Sequence, residues 1–234
     1  GLPVIVCDSK HRPSGMLLPL EGHGEQTRRF REQASMTEPR KKRLWRQIVA
    51  AKIRAQGRVL EELLGGDHGL SGFARRVRIG DAGNVEAHAA RRYWPLLFPE
   101  GGFRRGDEED ARNHLLNYGY AVVRSAVTRG LCASGLHPAL GLHHGNRYNT
   151  FPLADDLMEP FRPAVDRVVA LAEREAGGEG LAVTPARKRE LLGALTARYR
   201  AGGESRTLLD WITRTCQSAA RAVGGKGEKL EIPE

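Results

Sequence analysis

Residues 38–64, EPRKKRLWRQIVAAKIRAQGRVLEELL, carry the clearest periodic signal in the chain. Leu44, Ile48, Ala51, Ala55, Val59 and Leu63 recur at spacings of three and four residues, the repeat of one helical face. Thr37 is placed to cap the first turn, Pro39 lies where a missing N–H costs nothing, and Gly65 and Gly66 supply the stop. A helix of this length predicts a mainly α fold. Its opposite face holds Arg40, Lys41, Lys42, Arg43, Arg46, Lys52, Arg54 and Arg58. Such a run is ordinarily a solvated face, but one sign of charge over so many turns favours contact with nucleic acid.

Helical periodicity continues on both sides. Upstream, a change to period 3.6 begins at Glu25, and the only strand-like runs are Pro3–Cys7 and Gly15–Leu18, with a turn at Arg12–Gly15. Downstream, 70–77 reads as a short basic helix, 80–83 as a turn, and 84–97 as a helix with Val85, Ala89, Ala90, Tyr93 and Leu97 on one side. Segment 108–134 is a second long helix, and 156–175 is helical apart from kinks at Pro160 and Pro163. Helices at 185–200 and 206–223 and a tail from Lys226 complete the chain. No internal repeat is present.

The 234 residues are enough to bury a sizeable core, and 40% hydrophobic with 28% charged residues is ordinary for a globular domain. The balance of 37 Lys and Arg against 28 Asp and Glu leaves +9, which favours a polyanionic partner. No apolar run is long enough to cross a membrane and no signal peptide is visible, so the expectation is a cytoplasmic protein with no membrane partner. Cys7, Cys132 and Cys216 are odd in number and widely spaced, which supports neither a disulfide framework nor a zinc ribbon; they are expected to be small buried hydrophobes.

Chemistry concentrates in residues 143–163, HHGNRYNTFPLADDLMEPFRP, where His143, His144, Asp155 and Asp156 gather in one short span. A third donor is expected from Glu86, flanked by Ala87, Ala89 and Ala90, small residues that let a second helix approach closely. Taken singly, each of these residues is more often structural or solvated. Together, an imidazole and two carboxylates suit Mg²⁺ or Mn²⁺ better than a structural zinc, and in a basic protein such an ion polarises a phosphodiester. Asp155 is expected to cap the helix or support the ion, and His143 to pack or contact DNA. Arg91, Arg92, Asn146, Arg147, Asn149 and Arg162 are expected near phosphates, Arg162 also being able to pair with a carboxylate. Tyr93, Tyr118 and Tyr120 lie at core spacing.

Three separated motifs carry a family resemblance. They are Asn84, Glu86, Ala89, Ala90, Tyr93 and Trp94; then LNYGYA at 116–121; then Gly141, His144, Asn146, Asn149, Phe151 and the run from Ala154 to Pro163. In this order they resemble the CRISPR-associated integrase of spacer acquisition, the first protein of the Cas series, and the opening run from Cys7 to Leu20 with the Asn-rich loop after His144 resembles its type II-like form. The resemblance implies an N-terminal β domain, of which residues 1–22 would be the C-terminal remnant and linker, followed by an α-helical catalytic domain over 23–234. It implies catalytic metal ligands at Glu86, His144 and Asp156 with Mg²⁺ or Mn²⁺. The expected reaction is attack of a prespacer 3′-hydroxyl on a repeat phosphodiester. Double-stranded prespacer and repeat DNA, a homodimer, a small second Cas protein and the RNA-guided effector nuclease are the implied partners. Two readings of the residues compete with this one: a non-catalytic helical DNA-binding or scaffolding module, and a metal-dependent phosphohydrolase of small nucleotides.

Overall fold

In a computed structural model, the described residues are 4–9, 13–17, 24–100, 102–144, 148–177, 181–201, 203–225, 227 and 229–233. The fold is mainly α, as the periodicity predicts. Two strands open it, β1 (Val4–Cys7) and β2 (Pro13–Leu17), then helices α1 (Gln26–Ala34) and α2 (Glu38–Leu64). The expected boundary at 22/23 lies outside the described residues.

Helix α2 is the axis of the molecule. Its expected apolar stripe is buried from Leu44 to Val59, but so are Trp45, Val49, Ile53, Gln56 and Leu60. It is therefore enclosed on several sides by α3 (Leu70–Arg76), α4 (Val85–Leu97), α6 (Pro152–Met158) and α7 (Arg162–Ala176). Each fully buried Leu, Ile or Trp on it contributes roughly 1.5–3 kcal/mol, so enclosure outweighs the charge pattern in fixing its place. Part of the basic run is drawn inward. Arg40 donates to Ala222 O, Arg58 donates to Pro233 O at 3.2 Å, and Lys52 enters the core of the candidate site. The helix stops where expected, at Gly65 with φ +81°.

Helix α5 (Ala111–Ala133) forms the second wall, between α6 and α7 on one side and α9 (Leu208–Val223) on the other. Gly119 lets α5 and α7 touch: a Cβ there would stand 2.4 Å from Val165 Cγ1. The kinks expected at Pro160 and Pro163 become a short 3₁₀ turn, Glu159–Phe161, joining α6 to α7. Pro163 falls in the first turn of α7, where its ring is tolerated.

Three details differ from the expectations above. First, Pro13, Ser14 and Gly15 belong to strand β2 rather than to a turn; Gly15 pairs with Val6, and Pro13 pairs with Cys7 across a register shift. Pro at the first strand position forfeits no ladder bond that the strand needs. The hairpin leans on α5, with Cys7 Sγ 3.4 Å from Ser125 Oγ. Cys7 is nevertheless exposed and Cys132 half-buried, so only Cys216 fits the expected buried role. Second, helix α8 (Pro185–Thr196) ends early, and the next residues form another hairpin, β3 (Arg198–Ala201) with β4 (Glu204–Thr207). Its arginine-rich strands look like the charged face of a helix, but alternation turns Tyr199 and Ala201 inward, and Ala201 is buried. Third, the tail is packed: Leu230 and Ile232 are buried, and Leu230 N donates to Gln47 Oε1 at 2.9 Å.

Candidate metal-binding active site

The loop that follows α5 is anchored before it reaches the histidines. The Gln33 side chain, 4% exposed, donates to His137 O at 2.7 Å and Leu140 O at 3.1 Å and accepts from His137 N at 3.0 Å. At Gly141 the chain passes directly over α6: a Cβ would lie 2.9 Å from Pro152 Cβ and 3.2 Å from Asp156 Oδ2. Only a residue without a side chain fits that crossing.

Asp156 has no exposed surface. Its Oδ2 accepts from Leu142 N at 2.6 Å and His143 N at 3.1 Å, while Oδ1 accepts from His144 N at 3.1 Å and lies 2.6 Å from His144 Nδ1. Three backbone N–H groups and an imidazole thus compensate a carboxylate whose burial would otherwise be prohibitive. The bond to Asp156 raises the His144 pKa above its ordinary 6.5, against the opposing effect of burial; Glu159 and Asp155 push in the same upward direction. With Nδ1 committed, Nε2 is the nitrogen left to act. Trp45, buried on α2, stacks on His143 at 4.3 Å between ring centroids and meets His144 edge-on at 5.6 Å.

The remaining carboxylates meet elsewhere. Asp81 accepts from Val85 N at 2.9 Å and Glu86 N at 3.1 Å, capping α4 and fixing the start of the helix that carries Glu86. Glu86 Oε1 lies 2.6 Å from Lys52 Nζ, and Glu159 Oε2 lies 2.6 Å from the same ammonium. Arg162 Nε holds Glu159 Oε1 at 2.7 Å. Burial pushes the Glu159 carboxyl up, but Arg162 and Lys52 outweigh it and hold the group down to about 2. Beneath them Tyr120 faces the Arg162 guanidinium at 4.5 Å, and Tyr120 and Tyr93 both donate to buried Asp166. Both tyrosines are core residues, as their spacing predicts.

The structure therefore joins His144 to Asp156, and Glu86 to Lys52. Among the described residues, no three His, Cys, Asp or Glu side chains converge closely enough to hold a metal ion unaided. The donor types still fit a hard divalent cation, with two carboxylates, Glu86 and Glu159, already clasping a positive charge. Asp155 does not cap α6, whose N-cap is Phe151; it pairs with Arg124 at 2.7 Å and accepts from Asn149 Nδ2 at 2.6 Å. Asn149 is committed further, to Phe151 N and Arg124. Arg162 is half-buried and paired with Glu159, Arg91 is exposed on α4, and Arg92 donates to His68 O. Asn146 and Arg147 lie outside the described residues. Sequence reasoning missed Lys52, Trp45, Arg124 and Glu159. Only Glu159 had a local signal, three residues beyond Asp156 and hence nearly one helical turn away.

Comparison with known proteins places the chain in a class of CRISPR proteins. Residues 1–176 match the family model described as CRISPR associated protein Cas1. A Neisseria meningitidis protein named CRISPR-associated endonuclease Cas1 is 38% identical over 238 residues, covering all of this chain and 77% of its own. A Pyrobaculum aerophilum protein named CRISPR-associated endonuclease Cas1 2 is 29% identical over 239 residues, covering 95% of this chain and 79% of its own. Among solved structures, a casposase bound to integration product superposes with a TM-score of 0.75 at 21% identity, over 97% of this chain and 73% of that one. A partial Cas6-RT-Cas1–Cas2 complex gives 0.74 at 20% identity, over 98% and 80%. These two likenesses show the fold. The chain belongs to the Cas1 family.

Proposed function

We propose that this protein is a metal-dependent DNA endonuclease and integrase of CRISPR adaptation, which joins the 3′-hydroxyl ends of prespacer DNA to the CRISPR repeat. Family membership, relatives named as endonucleases and a structural neighbour titled as bound to an integration product support the reading. The observation that carries it is the pairing of Glu86 and Glu159 across one ammonium, with Glu159 near enough to act electrostatically on an imidazole whose Nδ1 is anchored on buried Asp156. DNA binding or scaffolding alone does not require such a cluster.

In this proposal Glu86, His144 Nε2 and Glu159 hold Mg²⁺ or Mn²⁺, and Asp156 sets the direction of His144. The ion supplies Lewis acidity to the phosphoryl oxygens. The prespacer 3′-oxygen attacks phosphorus and the repeat P–O3′ bond breaks, so one phosphodiester replaces another and a 3′-hydroxyl is released. Arg124 and Asn149 keep Asp155 and the start of α6 in place. Exposed Arg46 and Arg91 are available for the DNA backbone. Because complexes with Cas2 occur among the structural neighbours, a Cas2 protein is the proposed partner, together with a second copy of this chain.

The test is joining of labelled prespacer to a repeat duplex in Mn²⁺. Wild type is expected to form the branched product, and chelation, Glu86→Gln and His144→Ala are each expected to abolish it. Joining at the wild-type rate by either variant would remove the residue from the proposed site.

A further inference from the structure

Lys52 is the group in the site that the proposed chemistry leaves without a task. Its side chain is 15% exposed, and its ammonium touches both Glu86 and Glu159 at 2.6 Å. Glu159, 6% exposed, has Arg162 on its other oxygen. The four groups in direct contact sum to zero: two cations, Lys52 and Arg162, against two carboxylates. Asp166 beneath them, which both cations also act on, is taken up by the hydroxyls of Tyr93 and Tyr120. A neutral, largely buried cluster is poorly matched to a divalent cation, because two more positive charges would arrive where little water screens them. One cation has to leave. Arg162 is held by the Tyr120 ring as well as by Glu159, whereas Lys52 is a flexible stem with three donors, held at its tip by the two carboxylates alone among the described residues.

We infer that Lys52 is a positioning residue that couples metal binding to DNA binding: its ammonium competes with the divalent cation for Glu86 and Glu159, and a DNA phosphate gives it another anion to pair with. Without DNA, Lys52 keeps the two carboxylates together and lowers their metal affinity. With DNA, the displaced ammonium neutralises a phosphate, so each ligand tightens the other by the same factor. The inference rests on Glu86 and Glu159 being the metal-binding carboxylates.

Calorimetric titration of Mn²⁺, with and without a short prespacer duplex, tests it in wild type, Lys52→Met and Lys52→Arg. Duplex is expected to tighten Mn²⁺ binding to wild type and to Lys52→Arg. Lys52→Met, with the competitor removed, is expected to bind Mn²⁺ without DNA at least about tenfold more tightly than wild type and to show a smaller gain on adding duplex. Equal or weaker Mn²⁺ binding by Lys52→Met, or an undiminished DNA effect, overturns the inference. If Lys52→Met does not purify as folded protein, Lys52→Gln, which keeps an amide donor but no charge, carries the same comparison. Glu86→Gln and Glu159→Gln separate the two levels. Mn²⁺ binding unaltered in both of these variants refutes the underlying assignment, while binding lost in them but unchanged in Lys52→Met refutes only the role of Lys52.

Discussion

His144 and Asp156 are joined twice, through the backbone N–H of His144 at 3.1 Å and its Nδ1 at 2.6 Å, both to the same carboxylate oxygen. The double attachment fixes both the position of the residue and the rotation of its ring. Nε2, the nitrogen proposed to meet the metal, is then aimed by a buried group that itself has no exposed surface.

Asp156→Asn should therefore misdirect His144 without emptying the site. Joining activity is expected to fall by about 10- to 100-fold, the usual cost of losing a ligand's orienting partner. The imidazole pKa, followed by NMR, should drop toward 6.5 because the bond to Asp156 is the main cause of its elevation. A raised folded-state pKa adds stability that is fully present below the unfolded value and fades as pH rises through the folded one. The stability gap between wild type and Asp156→Asn should accordingly be widest below the ordinary His value and narrow above it. An unchanged His144 titration in the variant would refute the coupling.

Gly141 predicts a steric effect at the same place. Gly141→Ala forces a Cβ against Pro152 Cβ and Asp156 Oδ2 and should cost roughly 1–3 kcal/mol. Gly193, inside α8, has nothing within 4 Å of its would-be Cβ, so Gly193→Ala should instead gain up to about 1 kcal/mol. Thermal melts of the two variants should move in opposite directions.

How much of this was legible in the sequence differs from element to element. Period and caps placed α2, α4 and α5 to within a few residues, because each buries a long apolar face. The arginine-rich strands β3 and β4 were not legible, since four-residue strands leave too few alternations to stand out from the end of a helix. In the site, Glu86, His144 and Asp156 stood out by residue type and motif. What the sequence did not carry was their pairing. Lys52 lies 34 residues from Glu86 and 107 from Glu159, and on α2 it reads as one more basic side chain until packing turns it inward. Glu159 likewise reads as an ordinary charge until the 3₁₀ turn buries it.

Asp166 predicts a pH dependence of stability. Burial raises its carboxyl to about 6, with the hydroxyls of Tyr120 and Tyr93 pulling the other way. The folded-state value exceeds the ordinary 3.8, so the associated stability is fully present below that value and lost as pH rises through about 6. Over that window wild type should lose on the order of 3 kcal/mol through this group, since each tenfold change in proton affinity is worth about 1.4 kcal/mol. Asp166→Asn has no charge to bury, so its stability relative to wild type should increase between mildly acidic and neutral pH. Urea unfolding at the two pH values measures it, and parallel changes in both proteins would show that Asp166 does not titrate in this range.

Asp156 and Glu159 can be told apart by metal, although they lie three residues apart. Asp156 spends its oxygens on four N–H groups. Among the described residues Glu159 pairs with the cations Lys52 and Arg162, and Lys52 is the one proposed to give way to the metal. Glu159→Gln should thus abolish tight Mn²⁺ binding and joining together, while Asp156→Asn should weaken metal binding only through His144 and retain activity that saturates at higher Mn²⁺. Because its cationic neighbours hold the Glu159 carboxyl at about 2, its contribution to stability is present above the ordinary 4.5 and lost only as pH falls toward 2. Glu159→Gln should consequently melt lower than wild type across the whole neutral range. Mn²⁺ binding that survives Glu159→Gln but disappears in Asp156→Asn would reverse the two assignments and make the fully buried carboxylate the ligand.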